Sequence, residues 1–263
     1  MMQILRRIVR WIFACDVIDE VALLAKSERS RSYVTEERAK RHWQDPQKQS
    51  NMNFRQVLIY PLFIFLTKLL NFAKKFNSIM QFIKQKIEGV WVIEPTRFGD
   101  ARGYFSEVFK LEEFAAHAGD VKFIQDNESF SSRGVLRGLH FQKGEFSQAK
   151  LVRVSQGTVL DVAVDLRKDS PTFGEHIAVE LSHENGRQLF IPRGFAHGFV
   201  VLSDVAQFQY KVDNVYAPQS EATLRFDDPK LAIDWRIEPS QMLLSEKDMR
   251  GYSFDEVAEK YSF

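Results

Sequence analysis

Lys150-Leu-Val-Arg-Val154, Thr158-Val-Leu-Asp-Val-Ala-Val-Asp165 and His176-Ile-Ala-Val-Glu-Leu181 decide the fold. Each run is short, rich in Val, Ile and Leu, and closed by turn residues such as Gln156-Gly157 or Ser170-Pro-Thr-Phe-Gly174, the pattern of a β-strand between turns. The same texture extends outward from there. Upstream lie Val90-Trp-Val-Ile93, Gly103-Tyr-Phe-Ser-Glu-Val-Phe109, Phe123-Ile-Gln125 and Val135-Leu-Arg-Gly-Leu-His-Phe141. Downstream lie Gln188-Leu-Phe-Ile191, Gly198-Phe-Val-Val-Leu202 and Ala206-Gln-Phe-Gln-Tyr-Lys-Val212. Roughly ten strands at near-regular spacing predict an all-β sandwich or barrel, a number that suits a jelly roll. Helix-length patterns are confined to Lys110–His117 and Asp255–Lys260.

This β-rich texture stops short of the N-terminus. All 13 glycines lie from Gly89 onward, and residues 1–86 carry 16 Lys and Arg against 7 Asp and Glu, whereas residues 87–263 carry 20 against 28. A net charge of +1 therefore hides a basic segment joined to an acidic domain. We divide the chain into an N-terminal extension, 1–79, helical or partly disordered, and a domain, 80–263. At 44% apolar residues with 23 Phe, the chain has ample material for a core. Cys15 is the only cysteine, so no intrachain disulfide forms, and a cytoplasmic setting is the default. Arg6, Arg7 and Arg10 precede an apolar run too short for a signal peptide. Val57–Leu66 is too short for a bilayer span and is broken by Pro61. With Lys68, Lys74, Lys75, Lys84 and Lys86, residues 57–86 read either as a basic amphipathic helix in weak contact with an anionic membrane surface or as a helix packed on the domain or partly disordered. Translation from Met80 would also leave a complete domain. The acidic second half has no basic stripe, which argues against nucleic-acid binding.

The chemistry gathers around Arg137-Gly138-Leu139-His140, with Lys150 ten residues on and Asp248 in Leu244-Ser-Glu-Lys-Asp248. A neutral imidazole is the commonest general base near pH 7, and a carboxylate on its far nitrogen fixes the tautomer and stabilises the imidazolium. His140 and Asp248 are candidates for such a pair. A lone strand histidine is more often a structural hydrogen-bonding residue, but Arg137 and Lys150 nearby favour chemistry. Arg137 is three residues from His140, so a regular strand would send them to opposite faces; a bulge at Gly138 would turn both inward. His176 and His183 read as surface or strand-edge residues. A metal site built on a His-x-His pair is missing, since Leu139 precedes His140 and Phe141-Gln142 follow it, so no metal site and no cofactor are expected.

Val135-Leu-Arg-Gly-Leu-His-Phe-Gln142, Asp161-Val-Ala-Val-Asp165-Leu-Arg, Ser170-Pro-Thr-Phe-Gly174, Ile191-Pro-Arg-Gly-Phe-Ala-His-Gly-Phe199 and Leu244-Ser-Glu-Lys-Asp248 closely resemble the dTDP-4-dehydrorhamnose 3,5-epimerase family, from about Met80 to Phe254. The resemblance implies a cupin-type double-stranded β-helix, a homodimer, and metal-free epimerisation at carbons 3 and 5 of a dTDP-4-dehydro-6-deoxy sugar. It makes His140 the base, Asp248 its orienting partner, Lys150 the holder of the enolate oxygen and Tyr210 the proton-returning acid. It likewise makes Arg102, Glu107, Gln125, Asn127, Arg137, His197, Tyr216, Glu221 and Lys247 substrate contacts, with Arg137 on the diphosphate and Tyr216 stacked on thymine. Gln125 and Asn127 share strand parity and so face one side. Three alternatives stand beside this reading: a mono-epimerase or keto-isomerase of a related dTDP-sugar, a metal-dependent cupin, and a non-catalytic sugar-nucleotide-binding cupin. For Arg102, Glu107 and Glu221 a surface ion pair is the plain alternative.

Overall fold

A computed structural model describes residues 79–261. The expectations for the extension, including the membrane-surface helix, lie outside the described residues up to residue 78. From there the outcome differs: Met80–Lys84 is a strand, β1, paired antiparallel with β2 (Trp91–Pro95), so Lys84 belongs to a sheet and not to an amphipathic helix.

Two antiparallel sheets face each other. Besides β1 and β2, the larger contains β5 (Gln125–Ser132), β7 (Lys150–Gln156), β10 (Gln188–Ile191) and β12 (Val205–Val212), in the order β1-β2-β10-β7-β12-β5. The smaller contains β6 (Leu136–Gln142), β8 (Thr158–Asp165), β9 (His176–Ser182), β11 (Phe195–Val201) and β13 (Glu221–Thr223), ordered β13-β6-β11-β8-β9. This is the expected jelly roll. A small hairpin, β3 (Phe98–Asp100) with β4 (Gly103–Phe105), stands apart from both sheets.

Strand parity sorts the side chains into three apolar layers. Between the sheets lie Val92, Val152, Val154, Val159, Phe199 and Phe208. The outer face of the smaller sheet, with Leu136, Leu139, Leu160 and Val162, is covered by the C-terminal segment through Trp235 and Val257. The outer face of the larger sheet receives Phe114 from α1 (Leu111–Ala118) onto Leu151 and Phe190. Because β8 is covered on both faces, it reads as a nearly unbroken apolar run, and so it was readable from sequence. Strand β5 was not: Gln-Asp-Asn-Glu-Ser-Phe-Ser-Ser is polar on both faces, and only its first residue fell in the expected strand Phe123–Gln125. The expected strand Gly103–Phe109 likewise ends at Phe105.

The bulge expected at Gly138 is present. His197 on β11 lies opposite His140, and Phe199 opposite Arg137, so one residue on β11 faces two on β6. Parity breaks accordingly: Leu136 and Leu139, three apart, share the outer apolar layer. Gly138 has φ +126°, and a Cβ there would lie 2.6 Å from Gly198 Cα and 2.7 Å from the His197 carbonyl oxygen. At Gly198 a Cβ would meet the Arg137 carbonyl oxygen at 2.6 Å. The two backbones pass too closely for any side chain. Gly198→Ala should lower stability by about 1–3 kcal/mol, the usual cost of overpacking, and depress activity with it; a thermal melt matching wild type would contradict this account of the crossing.

Candidate active site

Polar side chains replace apolar ones on a limited stretch of the inner faces. On β8 the inward positions run Val159, Asp161, Ala163, and Asp161 is fully buried. Its carboxylate accepts from His197 Nε2 at 3.0 and 3.1 Å, and His197 Nδ1 lies 3.5 Å from Lys150 Nζ. Burial, the dominant influence, lowers the His197 pKa and outweighs the pull of Asp161. His197 is therefore a neutral imidazole, with Nε2–H directed at Asp161 and the Nδ1 lone pair facing the ammonium. Burial pushes the pKa of Lys150 down to about 8, although Asp161 and Glu221 oppose it. Lys150 thus remains mostly charged at neutral pH while poorly solvated.

His140, directly across the β6–β11 pair from His197, donates from Nε2 to Asp248 Oδ1 at 2.6 Å. That leaves Nδ1 to take up a proton. Asp248 sits on α2 (Glu246–Met249). Burial works to raise its pKa, but hydrogen bonds from His140, Ser245 and the Gly138 N–H prevail and hold it at about 2. Tyr210, on β12, is half-buried; burial raises its pKa despite Arg137 nearby, so the phenol keeps its proton. Arg137 donates from Nε to Ser131 Oγ at 3.2 Å while its side chain remains exposed. Asn127 is cross-strand from Tyr210 and accepts from Gln125 Nε2 at 2.8 Å, in keeping with their shared parity.

At the rim, Tyr216 donates to Glu221 Oε2 at 2.9 Å, and Glu221 Oε1 pairs with Lys247. Burial raises the Glu221 pKa, but Lys247 and Tyr216 prevail and keep it ionised. Tyr216 is 57% exposed, an open platform. Arg102 and Glu107 are the exceptions among the expected site residues. Arg102 points to solvent on the β3–β4 turn and binds Asp100, two residues away; Glu107 is exposed in the segment after β4. Among the described residues neither bonds to the cavity of its own chain, because the hairpin stands apart from both sheets.

Sequence reasoning passed over Asp161, Ser131 and Ser245. Asp161 had a signal, being a charge at an inward position in the middle of a strand whose other charge, Asp165, stands at its end. Ser245 had another, a serine three residues before an acidic residue, the spacing of a capping box. Among the described residues, no group of three or more His, Cys, Asp or Glu is placed to hold a metal ion. A cavity of about 360 Å³ opens on the outer face of the larger sheet, beside Phe109, Leu151, Arg153 and Lys211. Its lining holds no histidine, and its two carboxylates are already engaged, Asp126 with Lys211 and Glu128 with Gln209, so the His140–Asp248 pair lies elsewhere.

A jelly roll that brings together a histidine–carboxylate pair, a half-buried lysine and a protonated tyrosine has the fold of the cupin class and groups fit for acid–base chemistry. Residues 84–256 match the dTDP-4-dehydrorhamnose 3,5-epimerase family model. The chain is 51% identical over 179 residues to the dTDP-4-dehydrorhamnose 3,5-epimerase of Escherichia coli K12, covering 68% of this chain and 96% of that one. It superposes with a TM-score of 0.67 on a 3,5-epimerase from Legionella pneumophila in complex with dTDP-4-keto-L-rhamnose, at 46% identity, covering 70% of this chain and 97% of the other. A double mutant of a 3'-monoepimerase from Streptomyces bikiniensis in complex with dTDP gives a TM-score of 0.63 at 34% identity, covering 67% and 88%. The chain belongs to the dTDP-4-dehydrorhamnose 3,5-epimerase family.

The Asp248 pKa makes a prediction about acid stability. A carboxylate held at about 2 in the fold, against 3.8 ordinarily, contributes stability above pH 4 that is lost as pH falls towards 2. The contribution is about 2 kcal/mol at most. Urea unfolding at pH 5 and pH 3 should show wild type losing more stability than Asp248→Asn across that interval; equal losses would refute the assignment.

Proposed function

We propose that this chain is a dTDP-4-dehydrorhamnose 3,5-epimerase, converting dTDP-4-dehydro-6-deoxy-D-glucose to dTDP-4-dehydro-L-rhamnose. The observation that carries this reading is the 2.6 Å His140–Asp248 pair across the barrel from a half-buried, poorly solvated lysine. The keto group at carbon 4 acidifies the protons on carbons 3 and 5. His140 Nδ1 removes one, and Asp248 stabilises the imidazolium that forms. Negative charge then develops on the carbon-4 oxygen, where the Lys150 ammonium receives it; fixed charge in a dry site needs no reorganisation at that moment. Tyr210 returns a proton to the opposite face; His140 then releases its proton to water and the Tyr210 phenolate takes one from water, and the cycle repeats at the second carbon. His197, pinned by Asp161, orients Lys150 and borders the sugar.

The remaining contacts hold the nucleotide. The exposed guanidinium of Arg137 meets the diphosphate, where two oxygens can be bound at once. Tyr216 stacks on thymine, worth roughly 1–3 kcal/mol by analogy with bases on aromatic platforms; Glu221, Lys247, Gln125 and Asn127 complete the cradle. Arg102 and Glu107 find a role in a homodimer, in which the hairpin of one chain reaches its partner's cavity. The exposure of Phe98, Tyr104 and Phe105, at 52, 59 and 67%, supports an interface there. A cytoplasmic setting accords with the single cysteine.

Mono-epimerisation is the second reading. The Streptomyces bikiniensis mono-epimerase mutant replaces a histidine and a tyrosine 70 positions apart, the separation of His140 and Tyr210. That pair alone does not set the number of centres inverted. Incubating the protein with dTDP-4-dehydro-6-deoxy-D-glucose in deuterated water should place deuterium at both carbons. Label at one carbon only would establish the mono-epimerase, and label at neither would refute epimerisation. His140→Ala should abolish exchange at both carbons, and exchange surviving at either would refute a single base.

The pH dependence discriminates between Lys150 and Tyr210. Activity needs the Lys150 ammonium, so kcat/KM should fall on the alkaline side with a midpoint near pH 8. A limb above pH 10 would point to Tyr210 instead. Stability should move the other way. The unfolded lysine binds more protons than the folded one between about pH 8 and 10.5, so this residue's burial cost diminishes as pH rises through that window.

A further inference from the structure

Asp248 is braced on both oxygens. Oδ1 accepts from His140 Nε2 at 2.6 Å and from the Gly138 N–H at 3.3 Å. Oδ2 accepts from the Ser245 hydroxyl at 2.6 Å and, more weakly, from the Ser245 N–H at 3.4 Å. In return Ser245 Oγ accepts from the Asp248 N–H at 3.2 Å, closing a capping box around α2. The Asp248 side chain is only 5% exposed, so water does not replace a missing donor. Rotating the carboxylate about its own axis would move Oδ1 away from His140. The short bond to Oδ2 is what opposes that rotation.

We propose that Ser245 is a positioning residue for proton transfer: its hydroxyl fixes the plane of the Asp248 carboxylate, and through it the aim of His140 Nδ1 at the substrate carbon. The neighbouring residue strengthens this brace, because Lys247 ties the same turn to Glu221, which holds Tyr216. The nucleotide-binding rim and the base's carboxylate partner thus share one four-residue helix. The proposal rests on the epimerase reading given above.

A cap alone would also explain a serine at this position, and the two roles separate chemically. Capping needs only an acceptor for the Asp248 N–H, which aspartate supplies. Positioning needs a donor to Oδ2, which aspartate lacks and threonine retains. The experiment compares Ser245→Ala, Ser245→Thr and Ser245→Asp with wild type in two measurements. The first is deuterium incorporation at carbon 3, resolved into kcat and KM; the second is the downfield proton NMR signal of the His140–Asp248 hydrogen bond.

Ser245→Ala should lower kcat on the order of tenfold, the rate equivalent of one lost charge-assisted hydrogen bond, with KM little changed. Ser245→Thr should restore it. Ser245→Asp should fold yet be at least as slow as Ser245→Ala, with the downfield signal displaced in both. Wild-type kcat in folded Ser245→Asp, or an undisplaced signal in folded Ser245→Ala, would overturn the proposal. If Ser245→Ala fails to fold, the contrast between threonine and aspartate decides alone. A wild-type protein that incorporates no deuterium would refute the epimerase reading instead, and the NMR comparison would still report on the brace.

Discussion

Everything in the site depends on two backbones crossing without side chains between them. Gly138 and Gly198 touch at the bulge, and that contact converts an odd spacing on β6 into a shared direction for Arg137 and His140. A regular strand would leave one of them in the outer apolar layer with Leu136 and Leu139, where an unpaired cation or imidazole would carry a desolvation cost of several kcal/mol. The bulge keeps that layer apolar and still delivers two polar residues inward. It also aims the Gly138 N–H at Asp248, so the distortion supplies one of the carboxylate's four donors.

The two histidines opposite each other have divergent environments. His197 is almost fully buried, its carboxylate partner is buried entirely, and its imidazole is held neutral, which suits an orienting group. His140 is 28% exposed, and its partner carboxylate is stabilised from two sides, which suits a group that must gain and lose a proton. Lys150 touches the first histidine and lies in the field of Asp161 and Glu221. Two carboxylates therefore keep a poorly solvated ammonium charged. Glu221 is itself kept ionised by Lys247 and Tyr216, so charge at the rim supports charge at the centre.

How much of this was legible in the sequence depended on whether packing or chemistry set the pattern. Strands β7, β8 and β11 could be read because their apolar residues answer to burial on one or both faces. Strand β5 could not be, because its inward side chains, Gln125, Asn127, Ser129 and Ser131, face a polar space and its outward ones lie on a sheet edge. The bulge was readable because a glycine stood between two residues whose spacing was wrong for their expected roles. His140, Asp248, Lys150 and Tyr210 came from ordered motifs, whereas the Asp161–His197 pair needed coordinates: nothing in the separation of 36 residues says that adjacent antiparallel strands will bring them together.

Arg102 marks the limit of reading a single chain. Its guanidinium turns back on Asp100 within the same hairpin, which stands apart from both sheets and leaves Phe98, Tyr104 and Phe105 more than half exposed, Tyr104 under the Arg97 guanidinium. Each buries far less apolar area than it would against a partner, and a hairpin of two three-residue strands gains little stability on its own. Such a device is uneconomical in an isolated monomer. In the proposed homodimer a second surface would cover the aromatics and turn the neighbouring charges toward a ligand. The exposed ion pair between Arg102 and Asp100, worth little in water, would then be readily exchanged for a better-placed anion.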